Sequence, residues 1–207
     1  MVPGFAPDPP RAAQTGASAA HCEEIYTMAL LRIHTYPDPV LKETAREVTD
    51  IDGRLNALVE SMVQTMYAAP GIGLAAPQVG ESRRLMVVDI DHQNPGKRLL
   101  RLINPQIIES HGSIIWEEGC LSVVDYNADV KRAEKVLLRA YTPEQKEIEL
   151  EADGLLAIVL QHEIDHLDGK LFIDRISRIK RELYRRKLQK ALKEGKTDGE
   201  RHSMPKL

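Results

Sequence analysis

The stretch Gln161-His162-Glu163-Ile164-Asp165-His166 constrains this chain more than any other. It reads as the last part of a helix that opens near Leu155. A helix turns once per 3.6 residues, so His162 and His166, four apart, lie on one face about one turn from each other. Two imidazoles so placed can grip a single metal ion, and Glu163 beside the first can reach a water at that ion. This is the H-E-x-x-H arrangement of metallohydrolases, in which the glutamate is general base. The pattern alone can arise by chance, and it supplies two ligands where a hydrolytic site needs three.

The rest of the chain must supply the third. With 207 residues, 43% hydrophobic and 29% charged, it has the size and make-up of one ordinary globular domain with room for a good core. A net charge of −3 argues against wholesale nucleic-acid binding. No apolar run approaches the roughly eighteen residues of a membrane span. The cysteines are two, Cys22 and Cys120, too few for a disulfide framework, which favours a reducing, cytoplasmic setting.

Residues 1–27 differ in character from the remainder of the sequence. Pro3, Pro7, Pro9, Pro10, Gly4 and Gly16 leave no sustained period, so this part is expected to be a disordered extension. It lacks the basic start and apolar stretch of a secretory signal. Asp8, Glu23 and Glu24, with one Arg and one Ser, count against an organelle transit peptide. Met28 opens the catalytic domain, 28–195, and an alternative start there stands beside a genuine tail. Residues 196–207 are expected to be disordered.

Within the domain, Asp52 can cap a helix whose Leu55, Leu58, Val59, Met62, Val63 and Met66 form one apolar stripe, stopped by Pro70-Gly71. Gly71-Ile72-Gly73-Leu74-Ala75-Ala76-Pro77-Gln78 comes next. Its glycines allow either close approach to a ligand or a tight connection into a sheet. It is no nucleotide loop, since neither Gly-Lys-Ser/Thr nor a Rossmann glycine pattern is present. Strands are expected at 84–90 and 97–103 around an Asn94-Pro95-Gly96 turn, at 107–116 with a break at Gly112, and at 136–141 and 147–151 as a hairpin. Strands gathered first and helices after imply an α+β domain.

Glu118-Gly119-Cys120-Leu121-Ser122 lies just after one of these strands. A lone cysteine is ordinarily a small buried apolar residue, but a two-histidine helix needs a third donor. Cys120 with two neutral imidazoles makes a three-ligand site with a fourth position free for water or substrate. His21, His34, His92, His111 and His202 have no comparable spacing.

Three blocks, Gly71-x-Gly73-Leu74-Ala75-Ala76-x-Gln78, Glu118-Gly119-Cys120-Leu121-Ser122 and Gln161-His162-Glu163-x-Asp165-His166, stand in the order seen in peptide deformylases, and from about Leu31 to Lys180 the chain resembles that family. Val124 departs from it, standing where many bacterial members have proline, and puts local loop shape in question. The resemblance implies antiparallel sheets packed around the central H-E-x-x-H helix, with an N-terminal and a C-terminal helix. It implies Cys120, His162 and His166 as ligands, and Glu163, Gln78 and the Leu121 backbone as the catalytic groups. Ile72, Gly73, Glu118, Gly119, Leu155, Ile158 and Val159 would bind substrate, an N-formylmethionyl nascent peptide. Glu118 and Arg132 would pair to brace the cysteine loop, and Asp165 would orient its surroundings. Ligand chemistry favours zinc, whereas the resemblance implies ferrous iron, with nickel, cobalt or zinc able to replace it. The run Arg175–Lys196 holds ten Lys or Arg against Glu182 and Glu194. It reads as a basic helix, about 175–195, with an apolar side at Ile176, Ile179 and Leu183. Such a run is ordinarily a solvated face; the resemblance implies docking on the ribosome. A zinc peptidase and a catalytically silent ribosome-bound protein are the rival readings. The first fits the cysteine ligand and Gly-Leu-Ala-Ala-x-Gln block less well, and the second is disfavoured by the presence of Glu163 and Gln78.

Overall fold

The computed structural model of the chain describes residues 30–91 and 93–195. The segments 1–27 and 196–207, with Cys22, His21, His92 and His202, lie outside them.

Helix α1 spans Gly53–Ala68, and Asp52 caps it by accepting a hydrogen bond from the Leu55 amide at 2.8 Å. Leu55, Val59, Met62, Val63 and Met66 are buried on one face, with Leu58 half-buried at its margin. That face lies on a five-stranded antiparallel sheet of order β1-β2-β3-β6-β7, formed by β1 (Gly73–Ala75), β2 (Leu85–Val88), β3 (Leu100–His111), β6 (Lys135–Tyr141) and β7 (Glu147–Asp153). A separate two-stranded hairpin joins β4 (Ile114–Cys120) to β5 (Val123–Arg132).

Successive side chains of a strand point to opposite faces, and β2 uses both. Leu85 and Val87 pack with α1, while Met86 and Val88 pack against helix α2, Gly154–Leu167. This explains why Leu85-Met86-Val87-Val88 is an unbroken apolar run rather than an alternating one. α2 is therefore the central helix of an α+β domain, and it carries His162, Glu163 and His166.

Two strand assignments change. The expected break between 103 and 107 does not exist. β3 passes through Asn104-Pro105 by a bulge, with Asn104 at φ +50° and its side chain bonded to both the amide and carbonyl of Val48 at 2.8 Å. A proline fits a strand at such an irregularity because no ladder hydrogen bond is required there. β5 was not anticipated. Ala128, Val130 and Arg132 alternate as buried residues with exposed Asp129 and Lys131, but the polar residues disguise the period.

The last helix, α3, is Arg178–Lys193, capped by Ser177 and so shorter than the expected 175–195. Its apolar side is the expected one only at Ile176, which precedes the helix and packs half-buried against the same cluster as Tyr184 and Leu188. Ile179 and Leu183 are 75% and 61% exposed, and the helix docks through buried Tyr184 and Leu188. Tyr184 stacks on Tyr126 of β5 with ring centroids 4.6 Å apart, and its hydroxyl lies 3.4 Å from the Val124 carbonyl. Two stacked rings bury more area than an exposed isoleucine face can recover, and they set the rotation of the helix. Val124 sits within β5, where the register slips between Glu118 opposite Ala128 and Cys120 opposite Val123, with Asp125 at φ +54° inside the irregularity. Among the described residues no helix is long and apolar enough to cross a membrane.

Candidate active site

Three elements converge on one cleft. α2 supplies His162 and His166 from one face, with their rings 5.1 Å apart between centroids. Cys120, at the end of β4, enters from the hairpin, its Sγ 3.2 Å from His166 Nε2. One ligand atom from each of Cys120, His162 and His166 lies within 4.8 Å of the others, close enough to share one ion. These are the three residues the sequence motifs single out, brought together from positions over forty residues apart.

The surroundings suit a cation. His162 gives Nδ1 to the Glu118 carboxylate at 2.8 Å, which leaves Nε2 for the ligand position. Burial opposes charge on His162, yet hydrogen bonds to Cys120 and Glu118 raise its pKa well above the usual range, so these partners favour a positive charge here, which a bound cation would supply in place of the proton. Burial and the charge of His162 push His166 well below the usual range, which keeps it neutral, as a ligand must be. His166 Nδ1 is buried without a hydrogen-bond partner among the described residues. The donor set of one thiol and two imidazoles therefore fits a divalent ion.

Glu118 belongs to a buried ion-pair network. Arg132, 4% exposed, donates to both Glu118 oxygens at 2.6 and 2.8 Å and to Asp165 at 2.6 Å, and Arg175 joins Asp165 from the solvent side. Burial alone would raise the Glu118 pKa, but the hydrogen bonds from Arg132 and His162 outweigh it and hold the carboxyl at about 2. Burial likewise opposes charge on Asp165, and Arg175 and Arg132 keep it below the usual range. Glu118 was expected among the substrate contacts. Its carboxylate is committed to Arg132 and His162, so what it offers the cleft is backbone.

Glu163 is the opposite case. Its Oε2 is buried with no partner among the described residues, and burial pushes its pKa up to about 7. Gly73 makes room for it: a Cβ there would run into Glu163 Oε1 and lie 2.8 Å from its Cδ. Gln78 sits in a short 3-10 turn, Ala76–Val79, and its Oε1 reaches back to the Ala75 amide at 2.8 Å, one half of a capping box. Its Nε2 lies 3.7 Å from Cys120 Sγ. Leu121 and Ser122 form the two-residue loop between β4 and β5.

The cleft is lined by Ile72, Gly73, Gln78, Glu118, Gly119, Leu121, Leu155, Ile158 and Val159 beside Cys120, His162 and Glu163, while His166 is buried behind them. Pro70, Gly71, Trp116 and Glu117 also line it and were not among the expected site residues, although Gly71 opens the first motif block. Trp116 and Glu117 directly precede the cysteine block, so position in the strand was the available signal. Two strand edges border the cleft: β1 pairs only with β2, and β4 only with β5, among the described residues.

The sequence profile of the polypeptide deformylase family matches residues 30–182. A peptide deformylase of Syntrophobacter fumaroxidans is 54% identical over 167 residues, covering 81% of this chain and 98% of that one. One of Thermodesulfovibrio yellowstonii is 52% identical over 162 residues, covering 78% and 98%. The crystal structure of a peptide deformylase from Legionella pneumophila superposes with a TM-score of 0.76 at 45% identity, covering 82% of this chain and 99% of that one. A cleft built of Cys120, His162, His166 and a buried Glu163, within a fold and sequence so matched, places this chain in the polypeptide deformylase family.

Proposed function

We propose that Cys120, His162 and His166 hold the divalent ion with which this deformylase removes the formyl group from the N-terminal formylmethionine of newly made polypeptides, and that Glu163 is its general base. The convergence of the three ligand atoms within 4.8 Å, beside a buried carboxylate, is the observation that carries this reading. When bound, the ion supplies a Lewis acid and lowers the pKa of water towards neutrality. Glu163 takes the proton of the attacking water and returns it to the methionine nitrogen as the C–N bond breaks, giving formate and a free amine. A pKa near 7 suits both transfers. Gln78 Nε2–H and the Leu121 amide steady the oxyanion, and losing one such donor costs about 10²–10³ in turnover.

The methionine side chain enters among Ile72, Leu155, Ile158 and Val159, with Trp116 at the margin. The peptide lies extended between the open edges at Gly73 and at Glu118-Gly119, where backbone hydrogen bonds are free to form. Ferrous iron is the resident ion on the strength of the family resemblance, with zinc, nickel or cobalt as substitutes; selectivity rests on geometry and supply. The enzyme works in the cytoplasm as one catalytic domain, 28–195, and docks on the ribosome through α3. Its solvent face combines Arg186, Lys187 and Lys190 with exposed Ile179 and Leu183, a surface suited to RNA phosphates and a protein ridge. Lys187→Glu with Lys190→Glu should weaken co-sedimentation with ribosomes while small-peptide turnover persists; unchanged co-sedimentation removes the docking role.

The deciding experiment is formate release from formyl-Met-Ala-Ser by protein purified without oxygen, with metal analysis of the same sample. One ion per chain and formate production are expected. No formate from the ion-loaded chain would refute the activity, and a Cys120→Ala chain that still holds the ion would refute the ligand set.

A further inference from the structure

Ser122 closes the cysteine block, yet neither the ligand set nor the proton transfer uses it. It is fully buried. Its carbonyl accepts from the Tyr36 amide at 2.8 Å, its own amide points to Cys120 Sγ at 3.3 Å, and its Oγ accepts from Gln78 Nε2 at 3.2 Å. Its backbone is therefore fixed on both sides, in a two-residue loop next to Cys120, and full burial with the Gln78 contact restricts the hydroxyl.

Gln78 is gripped at both ends of its amide. Oε1 accepts from the Ala75 amide and Nε2 donates to Ser122 Oγ. The first bond fixes which end is oxygen, because a flipped amide would set NH₂ against the Ala75 N–H. The second fixes the amide plane. An NH₂ group has two N–H bonds. Ser122 takes one, and the other goes to Cys120 Sγ at 3.7 Å, at the ligand cluster.

We propose that Ser122 is a positioning residue: its hydroxyl locks the Gln78 amide so that the second N–H, which rests on Cys120 Sγ, is held beside the ligand cluster where the oxyanion forms. The proposal rests on Gln78 acting as an oxyanion donor. A serine suits the place because it is small enough for a closed hairpin loop and still offers an acceptor. With alanine there, the amide keeps its Ala75 anchor but can rock about it, and preorganised donors lose effect when they must be oriented during the reaction.

A double-mutant cycle tests this on the metal-loaded full chain. Ser122→Ala should lower kcat for formyl-Met-Ala-Ser about tenfold, with KM little changed, as expected for a displaced but present donor. The same change in a Gln78→Ala background should have almost no further effect, since coupled residues are not additive. Metal content and thermal midpoint, measured on every variant, exclude loss of the ion or of the fold as the cause. Independently of turnover, the Gln78 side-chain NH₂ resonances of wild type should show slow solvent exchange, and Ser122→Ala should speed it. Equal losses of kcat in both backgrounds, or unaltered Gln78 exchange, would overturn the role of Ser122. Failure of the wild type to release formate would instead strike the catalytic reading and leave the exchange measurement to judge the lock.

Discussion

Helices α2 and α3 have similar lengths, 14 and 16 residues, and meet the rest of the molecule in opposite ways. Nine residues of α2 are buried, including Glu163, Asp165 and His166, whereas α3 buries only Tyr184 and Leu188. A helix enclosed on all sides can carry ionisable groups only if each has a partner or a use. Asp165 has Arg132 and Arg175. Glu163 Oε2 and His166 Nδ1 have none among the described residues; the first belongs to the group proposed for proton transfer and the second to a proposed ligand of the ion. On α3 the charges stand in water, where most are energetically indifferent. Substitutions on α2 and its supports should therefore be costly, and those on the outer face of α3 nearly silent.

The largest effect should come from Glu163→Gln, which keeps the volume and removes the proposed base. kcat should fall about 10²–10⁴-fold, with the ion retained. Only the carboxylate accepts a proton, and burial raises its pKa from 4.5 to about 7. The sign is thus that kcat/KM is lost as pH falls through the region of 7. A wild-type profile flat through that region would remove Glu163 as base.

Gly73→Ala should come next. The new methyl must displace the Glu163 carboxylate, and misplacing a reacting group by an ångström costs on the order of 10²-fold in rate. Steady-state kinetics beside a thermal melt should show the loss in kcat exceeding any loss in stability.

Arg132→Ala tests the enclosure itself. It strands Glu118 and Asp165, both buried, and breaking a buried pair costs about 3–5 kcal/mol. Urea unfolding should show a midpoint far below that of wild type. A shift within experimental error would mean that water reaches the network and that α2 is less enclosed than its burial implies.

The docking of α3 should be worth less. Tyr184→Ala removes the stack on Tyr126, with an expected cost of about 2 kcal/mol and small-peptide kcat largely preserved. Ile179→Ser, on the exposed face, should stay within about 0.5 kcal/mol. An equal loss at both positions in urea would show that α3 uses the face first expected from its sequence.

That misreading of α3 shows where sequence stops being informative. Ile176, Ile179 and Leu183 have helical spacing, but a helix with few apolar residues offers several candidate stripes. The surface that receives it decides among them, here the rings of Tyr126 and Tyr36. α1 was legible because six apolar positions and an Asp cap agree on a single face. The cluster of Cys120, His162 and His166 was legible because the chemistry proposed for it is carried by residue type and local spacing. β5 and the continuous β3 were not, because polar alternation at 125–131 and a proline at 105 mask strands whose pairing comes from distant residues. The role of Glu118 was only half legible: its pairing with Arg132 was foreseen, but its bond to His162 depends on how β4 lies across α2.

By itself the sequence determined the family of the chain, the helix with His162, Glu163 and His166, and Cys120 as the third residue of the cluster that could hold an ion. Those choices rest on short-range spacing and on the few side chains able to bind a metal. Tertiary structure decided the rest. It set the raised pKa of Glu163, the commitment of Glu118 to His162 and Arg132, the room that Gly73 leaves for a carboxylate, and the face by which α3 docks. Burial and charge partners are properties of what the fold packs around a residue, and those neighbours come from far along the chain.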